Sequence, residues 1–178
     1  IEKSGKSDLL KQLRELRKAL TVVSIRQHQA LGLGHAILCA KPVVEGEPFA
    51  VLLGDEIMVA KKGKPSGIGQ LAKLAESQDL STVAVIDVPK TDVSKYGIIE
   101  AESLGKNLWK VLSVVEKPSP AKAPGTLALP GRYVFKPEVF PILEKTKPGK
   151  NGEIQLTDAM TVLAKRHGLL AAVVDAER

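Results

Sequence analysis

The leucines near the start of the chain recur every three or four residues, the period of a helix with one apolar face. They lie in the stretch "SDLLKQLRELRKAL", and Ser7 at its start is a candidate N-cap. The β-branched run "TVVSI" then changes the period and predicts a strand. A glycine-rich turn and a short helix over about residues 34–40 follow. The chain is therefore predicted to open with helix, strand and helix.

Two continuous apolar runs come next, and both are typical of strands that are buried on both faces of a sheet. They are "PFAVLLGDE" and "STVAVIDV", with the helical pattern "GIGQLAKLAESQDL" between them. Helices and strands thus alternate through residue 88, which favours parallel strands joined by helical crossovers. The predicted fold class is α/β: a Rossmann-like mixed, mostly parallel sheet with helices on both faces.

The second half of the chain has a less regular pattern, in which Gly and Pro separate the elements. The predicted elements there are strands at "YGIIEA", "LWKVLSVVEKP" and "LALPGRYVFK", helices at "PEVFPILEKT" and "EIQLTDAMTVLAKRH", and a strand at "GLLAAVVDA". No internal repeat and no linker divides the chain. We therefore expect residues 1–178 to form a single domain.

Composition excludes some classes of protein. The one cysteine, Cys39, excludes an internal disulfide framework and suits a reducing compartment. No run reaches the roughly 18 apolar residues that a membrane span needs, and no secretory signal opens the chain. The expected location is the cytoplasm.

The net charge of +6 indicates anionic ligands. The lysines are spread along the chain, and the few aromatic residues do not interleave with them as base-stacking platforms would. Small anionic molecules therefore suit this charge better than nucleic acid does.

Three short patterns resemble other kinds of site, and each lacks an essential part. "GLGHAI" is half of a dinucleotide fingerprint, but Ile37 stands where the third glycine should be. "GKPSGIG" lacks the closing Gly-Lys-Ser/Thr of a P-loop. His35 and Cys39 share one helical face without further metal ligands nearby, so buried helix positions are favoured over zinc.

The ends of two predicted strands carry residues suited to phosphate chemistry. Asp55 follows an apolar strand and could hold Mg²⁺ together with substrate phosphates, or simply cap the next helix. Glu116 and Lys117 precede Pro118, whose turn could bring both to one rim. A glutamate there suits sugar hydroxyls and a lysine suits a phosphate, although an exposed ion pair is the alternative. Gly97 either admits a ligand to the backbone or marks a bulge.

The order of these segments is more specific than any one of them. The segments are "RQHQALGLGHAILCAKPVV", "FAVLLGDEI", "KYGII", "VVEKP", "GRYVF" and "GEIQLTDA". From about Leu9 onward they resemble the bacterial UTP–glucose-1-phosphate uridylyltransferases, also called UDP-glucose pyrophosphorylases, among the sugar nucleotidyltransferases. The resemblance implies the nucleotide-diphospho-sugar transferase fold.

The resemblance also implies a nucleotide and metal side of the site. Gln27 and the backbone of Gly32 would bind the pyrimidine, so the glycine turn would be a nucleobase site. Asp55 would hold Mg²⁺ bridging the nucleotide phosphates. The "GDE" sequence keeps the first acid that the family has there and leaves the role of Glu56 open.

On the sugar side, the resemblance implies that Gly97 and Glu116 bind the glucose ring and that Lys117 binds its 1-phosphate. Tyr133, in "GRY", matches a residue near the sugar. Asp158 in "EIQLTDA" could serve the site or only its helix.

The implied reaction is Mg²⁺-dependent transfer of the uridylyl group from UTP to glucose 1-phosphate, giving UDP-glucose and pyrophosphate. The alternatives are a sister enzyme that uses dTTP or another sugar 1-phosphate, and a non-catalytic nucleotide- or sugar-binding homologue. The family's glycine-rich loop with Gly-Thr-Arg and its second metal-binding aspartate have no counterpart here. We therefore expect the 178 residues alone to be inactive. The resemblance also implies a homo-oligomer, a dimer or a tetramer.

Overall fold

A computed structural model of the chain describes residues 7–44 and 46–177. The helices are α1 (Ser7–Ala19), α2 (Leu33–Val44), α3 (Gly67–Gln78), α4 (Val139–Lys145) and α5 (Leu156–Arg166), with short 3₁₀ turns at Lys90–Lys95 and Lys150–Gly152. The strands are β1 (Phe49–Leu52), β2 (Val59–Ala60), β3 (Ser81–Ala84), β4 (Ile86–Asp87), β5 (Gly97–Gly105), β6 (Leu108–Glu116), β7 (Leu127–Ala128), β8 (Arg132–Phe135), β9 (Leu169–Ala172) and β10 (Ala176–Glu177).

Eight strands form one sheet in the order β1-β8-β3-β9-β6-β5-β7-β4, and β2 pairs with β10 separately. Among the described residues of the large sheet, β3 and β9 run parallel and the other pairs are antiparallel. The fold is α/β as predicted, but the prediction of a mostly parallel sheet is wrong. Apolar runs identify strands without giving their direction. The two-residue turn between β5 and β6, for example, is far too short for a crossover.

Helices cover both faces of the sheet, as predicted. Neighbouring residues of β3 point to opposite faces, as they do in any strand. Val83 packs into the large core with Leu143 of α4 and Met160 of α5. Ala84 instead packs on the other face against Leu71 of α3.

The first predicted strand is not formed. Residues 20–30, which include "TVVSI", have no regular secondary structure. A strand needs a hydrogen-bonded neighbour, and nothing in the described ranges pairs with this run. Helix α1 is formed, yet Leu16 and Leu20 on its predicted apolar face are 55% and 60% exposed. The N-cap role predicted for Ser7 concerns a side chain outside the described part of the chain.

The two apolar runs behave differently. All four residues of β3 are buried, as predicted. Strand β1 alternates between half-buried and exposed residues, so its predicted burial on both faces is wrong. Its position explains this result, since β1 lies at the sheet edge and pairs with β8 alone.

None of the helices in residues 7–44 and 46–177 is long and apolar enough to cross a membrane.

Candidate active site

An open cavity of about 430 Å³ lies where β1 and β6 end and where β5 and β8 begin. Five residues singled out from the sequence line it: Asp55, Gly97, Glu116, Lys117 and Tyr133. These residues come from four separate strand ends, and the fold brings them to one place. Asp55 and the Glu116–Lys117 pair therefore share one cavity.

Asp55 belongs to a turn that a buried arginine holds. Arg132 begins β8 opposite the last residue of β1 and is only 7% exposed. Its guanidinium donates hydrogen bonds of 3.0 Å to the carbonyl oxygens of Leu53 and Gly131. It also donates to the carbonyl oxygen of Glu56. Two of these acceptors flank Asp55, so Arg132 fixes the turn that carries the carboxylate.

Glu116 and Lys117 both reach the cavity because the chain turns sharply after β6. Glu116 is the last strand residue and pairs with Gly97. Lys117 has φ of +42°, and its backbone N–H donates to the carbonyl oxygen of Tyr96 over 3.0 Å. Its ammonium lies 4.0 Å from a carboxylate oxygen of Glu116. The predicted turn before Pro118 is confirmed. A left-handed lysine is strained, and such strain is found preferentially at functional sites.

Gly97 lies so close to neighbouring side chains that a larger residue would crowd them. A Cβ atom there would lie 3.0 Å from the γ-methyl of Thr157 and 3.2 Å from a methyl of Leu129. It would also lie 3.4 Å from a carboxylate oxygen of Glu116. The register shifts of β5 and β6 occur after Glu100 and Ser103, so Gly97 does not mark a bulge. The side chains of Thr157, Leu129 and Glu116 are thus what comes close to this glycine, and contact of Gly97 with a ligand stays a prediction.

Tyr133 supplies a neutral hydroxyl. Its ring is buried and stacks on Phe135 at a centroid distance of 5.5 Å. Burial raises the pKa of Tyr133 well above its ordinary range, and the negative charges of Glu116 and Asp55 raise it further. The hydroxyl therefore stays protonated at neutral pH and can donate a hydrogen bond.

Carboxylates outnumber cations around the cavity. Asp55, Glu56, Glu116 and Glu153 face Lys95 and Lys117 there. Within the described ranges, no three His, Cys, Asp or Glu side chains cluster as a complete metal site. Mg²⁺ is commonly held by one or two carboxylates together with substrate phosphates, and Asp55 fits that mode of binding.

The glycine turn before α2 is packed against the segment that leads into α5. The N–H of Gly34 donates to the carbonyl of Ile154 over 3.0 Å, and the N–H of Ile154 donates to the carbonyl of Leu31 over 2.8 Å. A Cβ on Gly34 would stand 2.6 Å from the Ile154 oxygen, and one on Gly32 would stand 2.8 Å from the Cβ of Glu153. The Cβ sides of both glycines are thus occupied by the protein itself, at Glu153 and Ile154.

The predicted nucleobase residues lie outside the residues that line the cavity. The Gln27 amide nitrogen donates to the carbonyl oxygen of Gly32 over 3.1 Å and lies 2.9 Å from Nδ1 of His35. These contacts fix the Gln27 side chain beside the turn. Contact of Gln27 or Gly32 with a base stays a prediction.

Sequence reasoning missed several residues of the cavity. Thr157 lines the cavity and stands in "EIQLTDA", which served only as a family signature. Arg132, in "GRYVF", holds the Asp55 turn without being one of the lining residues, and it was missed as well. Lys95 gave no signal, because its pattern is that of an ordinary exposed lysine. Asp158 lies on the first turn of α5, exposed, and lines a neighbouring cavity that shares Glu116 and Lys117.

The family of the chain follows from comparison with known proteins. Residues 2–177 match the nucleotidyl transferase family, and the chain belongs to it. Within it, the chain is similar to a UTP–glucose-1-phosphate uridylyltransferase of Pseudomonas aeruginosa, with 41% identity over 165 residues. That match covers 93% of this chain and 59% of the relative. The relative of the same name from Streptococcus pneumoniae is 44% identical over 173 residues, 96% of this chain and 58% of its own.

The fold agrees with this assignment. A crystal structure of UDP-glucose pyrophosphorylase complexed with UDP-glucose superposes with a TM-score of 0.93 at 39% identity, covering 98% of this chain and 66% of its own. The predicted resemblance is therefore confirmed. The chain spans about three fifths of the length of the curated relatives that it matches.

Proposed function

We propose that the protein, at its full length, transfers the uridylyl group of UTP to glucose 1-phosphate and releases pyrophosphate. The observation that carries this proposal is the single cavity that Asp55 shares with Glu116 and Lys117. The names of its relatives support the choice of UTP and glucose 1-phosphate.

On the sugar side, the hexose ring is proposed to bind in the cavity that Gly97 and Glu116 line, as the family resemblance implies. The Glu116 carboxylate accepts hydrogen bonds from sugar hydroxyls, and the neutral Tyr133 hydroxyl offers a donor nearby. The Lys117 ammonium, 63% exposed at the rim, takes the 1-phosphate. This division of roles matches hydroxyl-binding groups to the ring and a cation to the phosphate.

On the nucleotide side, Asp55 would hold Mg²⁺ with the phosphates of the substrate. When bound, the ion offsets the negative charge that these phosphates and the surrounding carboxylates bring together. Arg132 keeps Asp55 at the rim by holding its turn. Gln27 and Gly32 are proposed to bind the uracil, since they lie together in the turn before α2.

The proposed chemistry needs no covalent enzyme intermediate. An oxygen of the sugar phosphate forms a bond to the α-phosphorus of UTP while the bond from that phosphorus to the pyrophosphate oxygen breaks. Pyrophosphate leaves with the bonding electron pair. Both reactants are anions, so the protein acts mainly by aligning them and by placing Lys117 against the developing charge.

The decisive measurement is pyrophosphate release by the full-length protein with UTP and glucose 1-phosphate. We expect release with this pair, and a panel of dTTP and other sugar 1-phosphates should give lower kcat/KM. Preference for another pair would reassign the substrates within the family. Binding of UDP-glucose without pyrophosphate release would instead indicate a non-catalytic homologue. Light scattering of the same sample tests the predicted dimer or tetramer.

A further inference from the structure

The side-chain amide of Gln27 is held by two acceptors of the protein. Its nitrogen donates to the carbonyl oxygen of Gly32 over 3.1 Å, and the same nitrogen lies 2.9 Å from Nδ1 of His35. A backbone carbonyl oxygen accepts hydrogen bonds and cannot donate them, so the group that faces Gly32 is the NH2 group of the amide. This contact decides which way round the Gln27 amide stands.

The same geometry fixes the state of the His35 ring. The amide NH2 group has two protons, and the Gly32 carbonyl takes one of them. The other is available to Nδ1, which accepts it only when this ring nitrogen carries no proton of its own. His35 is therefore a neutral ring with its proton on Nε2. His35 and Gly32 together occupy both protons of the amide nitrogen.

The oxygen of the Gln27 amide, by contrast, has no hydrogen-bond partner within residues 7–44 and 46–177. Its turn adjoins the main cavity. Leu33, the residue after Gly32, lines that cavity, and so does Glu153, whose Cβ lies 2.8 Å from the point where a Cβ on Gly32 would stand. An amide oxygen only accepts hydrogen bonds, so a ligand that binds it must bring a donor.

We propose that His35 is a positioning residue that sets which pyrimidine the site accepts, because it holds the Gln27 amide with its oxygen toward the base. This inference rests on the proposed function, in which Gln27 binds the base. Uracil and thymine carry a proton on N3, whereas N3 of cytosine is an unprotonated acceptor. A fixed amide oxygen matches the first two bases and opposes the third.

His35 adds the second of the two contacts that prevent the amide from turning over. The terminal torsion of a glutamine side chain is broad and roughly two-fold, so the amide is not fixed by its own covalent structure. The reversed amide would place its oxygen against two acceptors, the Gly32 carbonyl and Nδ1 of His35. Replacing His35 by an apolar residue removes one of these two repulsions. The reversed amide, which offers NH2 to the base, then becomes accessible and suits N3 of cytosine.

The test replaces His35 by leucine, which removes the acceptor, and by asparagine, whose side-chain oxygen can take the place of Nδ1. In the full-length protein, His35→Leu should raise KM for UTP about fivefold with kcat nearly unchanged, because a hydrogen bond that orients a binding group is lost. The ratio of kcat/KM for UTP to kcat/KM for CTP should fall about fivefold. His35→Asn should restore both values to within about twofold.

Two further variants make the test specific to the Gln27 amide. Cys39→Ala is the matched control on the same helix, because Sγ of Cys39 lies 4.0 Å from the same ring nitrogen. It should change neither KM for UTP nor the preference for UTP over CTP. Gln27→Leu removes the amide itself and should raise KM for UTP. If His35 acts through Gln27, adding His35→Leu to Gln27→Leu should raise KM for UTP no further.

The outcomes separate the inference from the proposed function. If Gln27→Leu raises KM for UTP and His35→Leu does not, His35 does not position the amide, and the proposed function stands. If His35→Leu weakens both substrates alike and has the same effect in the Gln27→Leu background, its role is structural and the inference is overturned. If the unaltered protein releases no pyrophosphate from UTP and glucose 1-phosphate, the proposed function itself fails, and the inference with it.

Discussion

The two sides of the cavity place their charged groups by different means. Asp55 follows the four-residue edge strand β1, and its turn depends on one buried side chain, Arg132, that binds carbonyl oxygens. Glu116 ends the nine-residue strand β6 of the β5–β6 hairpin and Lys117 follows it, and backbone pairing with Gly97 and Tyr96 positions them. From this comparison we expect that a single mutation, at Arg132, can displace Asp55. Side-chain changes at Glu116 or Lys117, by contrast, should leave the backbone there in place.

The largest effect is expected at Lys117. Lys117→Ala should lower turnover by about 10²-fold or more, because the cation that meets the sugar phosphate is lost. Alanine keeps the Cβ atom, so the backbone strain at φ +42° is the same and the hairpin should not move. The measurement is steady-state kinetics of pyrophosphate release, with KM for UTP nearly unchanged.

Lys110→Ala, on strand β6 that leads to Lys117, is the control for charge alone and should leave turnover unaffected. An equal loss of affinity for UTP in Lys117→Ala would contradict the assignment of Lys117 to the sugar phosphate.

Arg132→Met should have the next largest effect, and it should act on both stability and activity. Three hydrogen bonds to carbonyl oxygens disappear. We expect the free energy of unfolding to fall by about 3 kcal/mol, because the buried carbonyl oxygens lose a charged donor. The turn that carries Asp55 should loosen, and turnover should fall on the order of 30-fold, because misplacement of a site group is costly.

Denaturant unfolding and Mg²⁺ titration of activity check both parts of this prediction. The control is Lys136→Met at the other end of β8, which removes a cation paired with Asp79 and Glu138 and far from the turn. If Arg132→Met were as stable as the control, the Asp55 turn would not depend on this arginine.

Gly97→Ala should have a smaller and more selective effect. The added methyl would fall into the space between Thr157, Leu129 and Glu116. We expect affinity for glucose 1-phosphate to fall about tenfold, because the methyl would push the side chains of the proposed sugar pocket, Glu116 among them, out of place, while affinity for UTP holds. Calorimetric titration of each ligand measures this. Gly125→Ala is the matched control, because its Cβ would make only an ordinary contact of 3.7 Å. Unchanged binding of both ligands by Gly97→Ala would show that the sugar does not bind next to Gly97.

The smallest effect concerns pH. The pKa of Tyr133 is raised in the folded protein, mainly by burial, so the unfolded chain releases this proton first, near pH 10. The contribution of Tyr133 to stability is therefore complete below about pH 10 and is lost as pH rises above it. The chain has two tyrosines, so the ultraviolet titration of Tyr133→Phe, compared with that of the unaltered protein, isolates Tyr133. If Tyr133 ionised in the native state at its ordinary pKa, its side chain could not be buried as the structure has it.

The sequence predicts element types well where the element carries its own pattern. The helical period of "GIGQLAKLAESQDL" and the apolar run of β3 both match the structure. Strand direction was predicted wrongly, because it depends on the connections and not on the residues of a strand. "TVVSI" failed for a related reason, since β-branched residues favour a strand only when a partner is present.

The candidate site shows the same difference between residues that a local pattern identifies and residues whose roles depend on the rest of the fold. Asp55, Glu116 and Lys117 are recognisable because strand ends are where polar groups emerge from an apolar sheet. Arg132 was missed, because its role depends on burial and on carbonyl oxygens from another segment, neither of which the sequence shows. The role of the glycine turn as a nucleobase site stays a prediction, and its packing against residues about 120 positions later in the chain could not be foreseen from the sequence.

That long-range pairing has a consequence for how the protein is made. The turn at Gly34 hydrogen bonds to Ile154, so it cannot take its final form while the ribosome is still reading the stretch between them. At about 5–20 residues per second, the wait is on the order of ten seconds. We expect the segment around Gly34 to lack these hydrogen bonds until "EIQLTDA", which contains Ile154, has been synthesised.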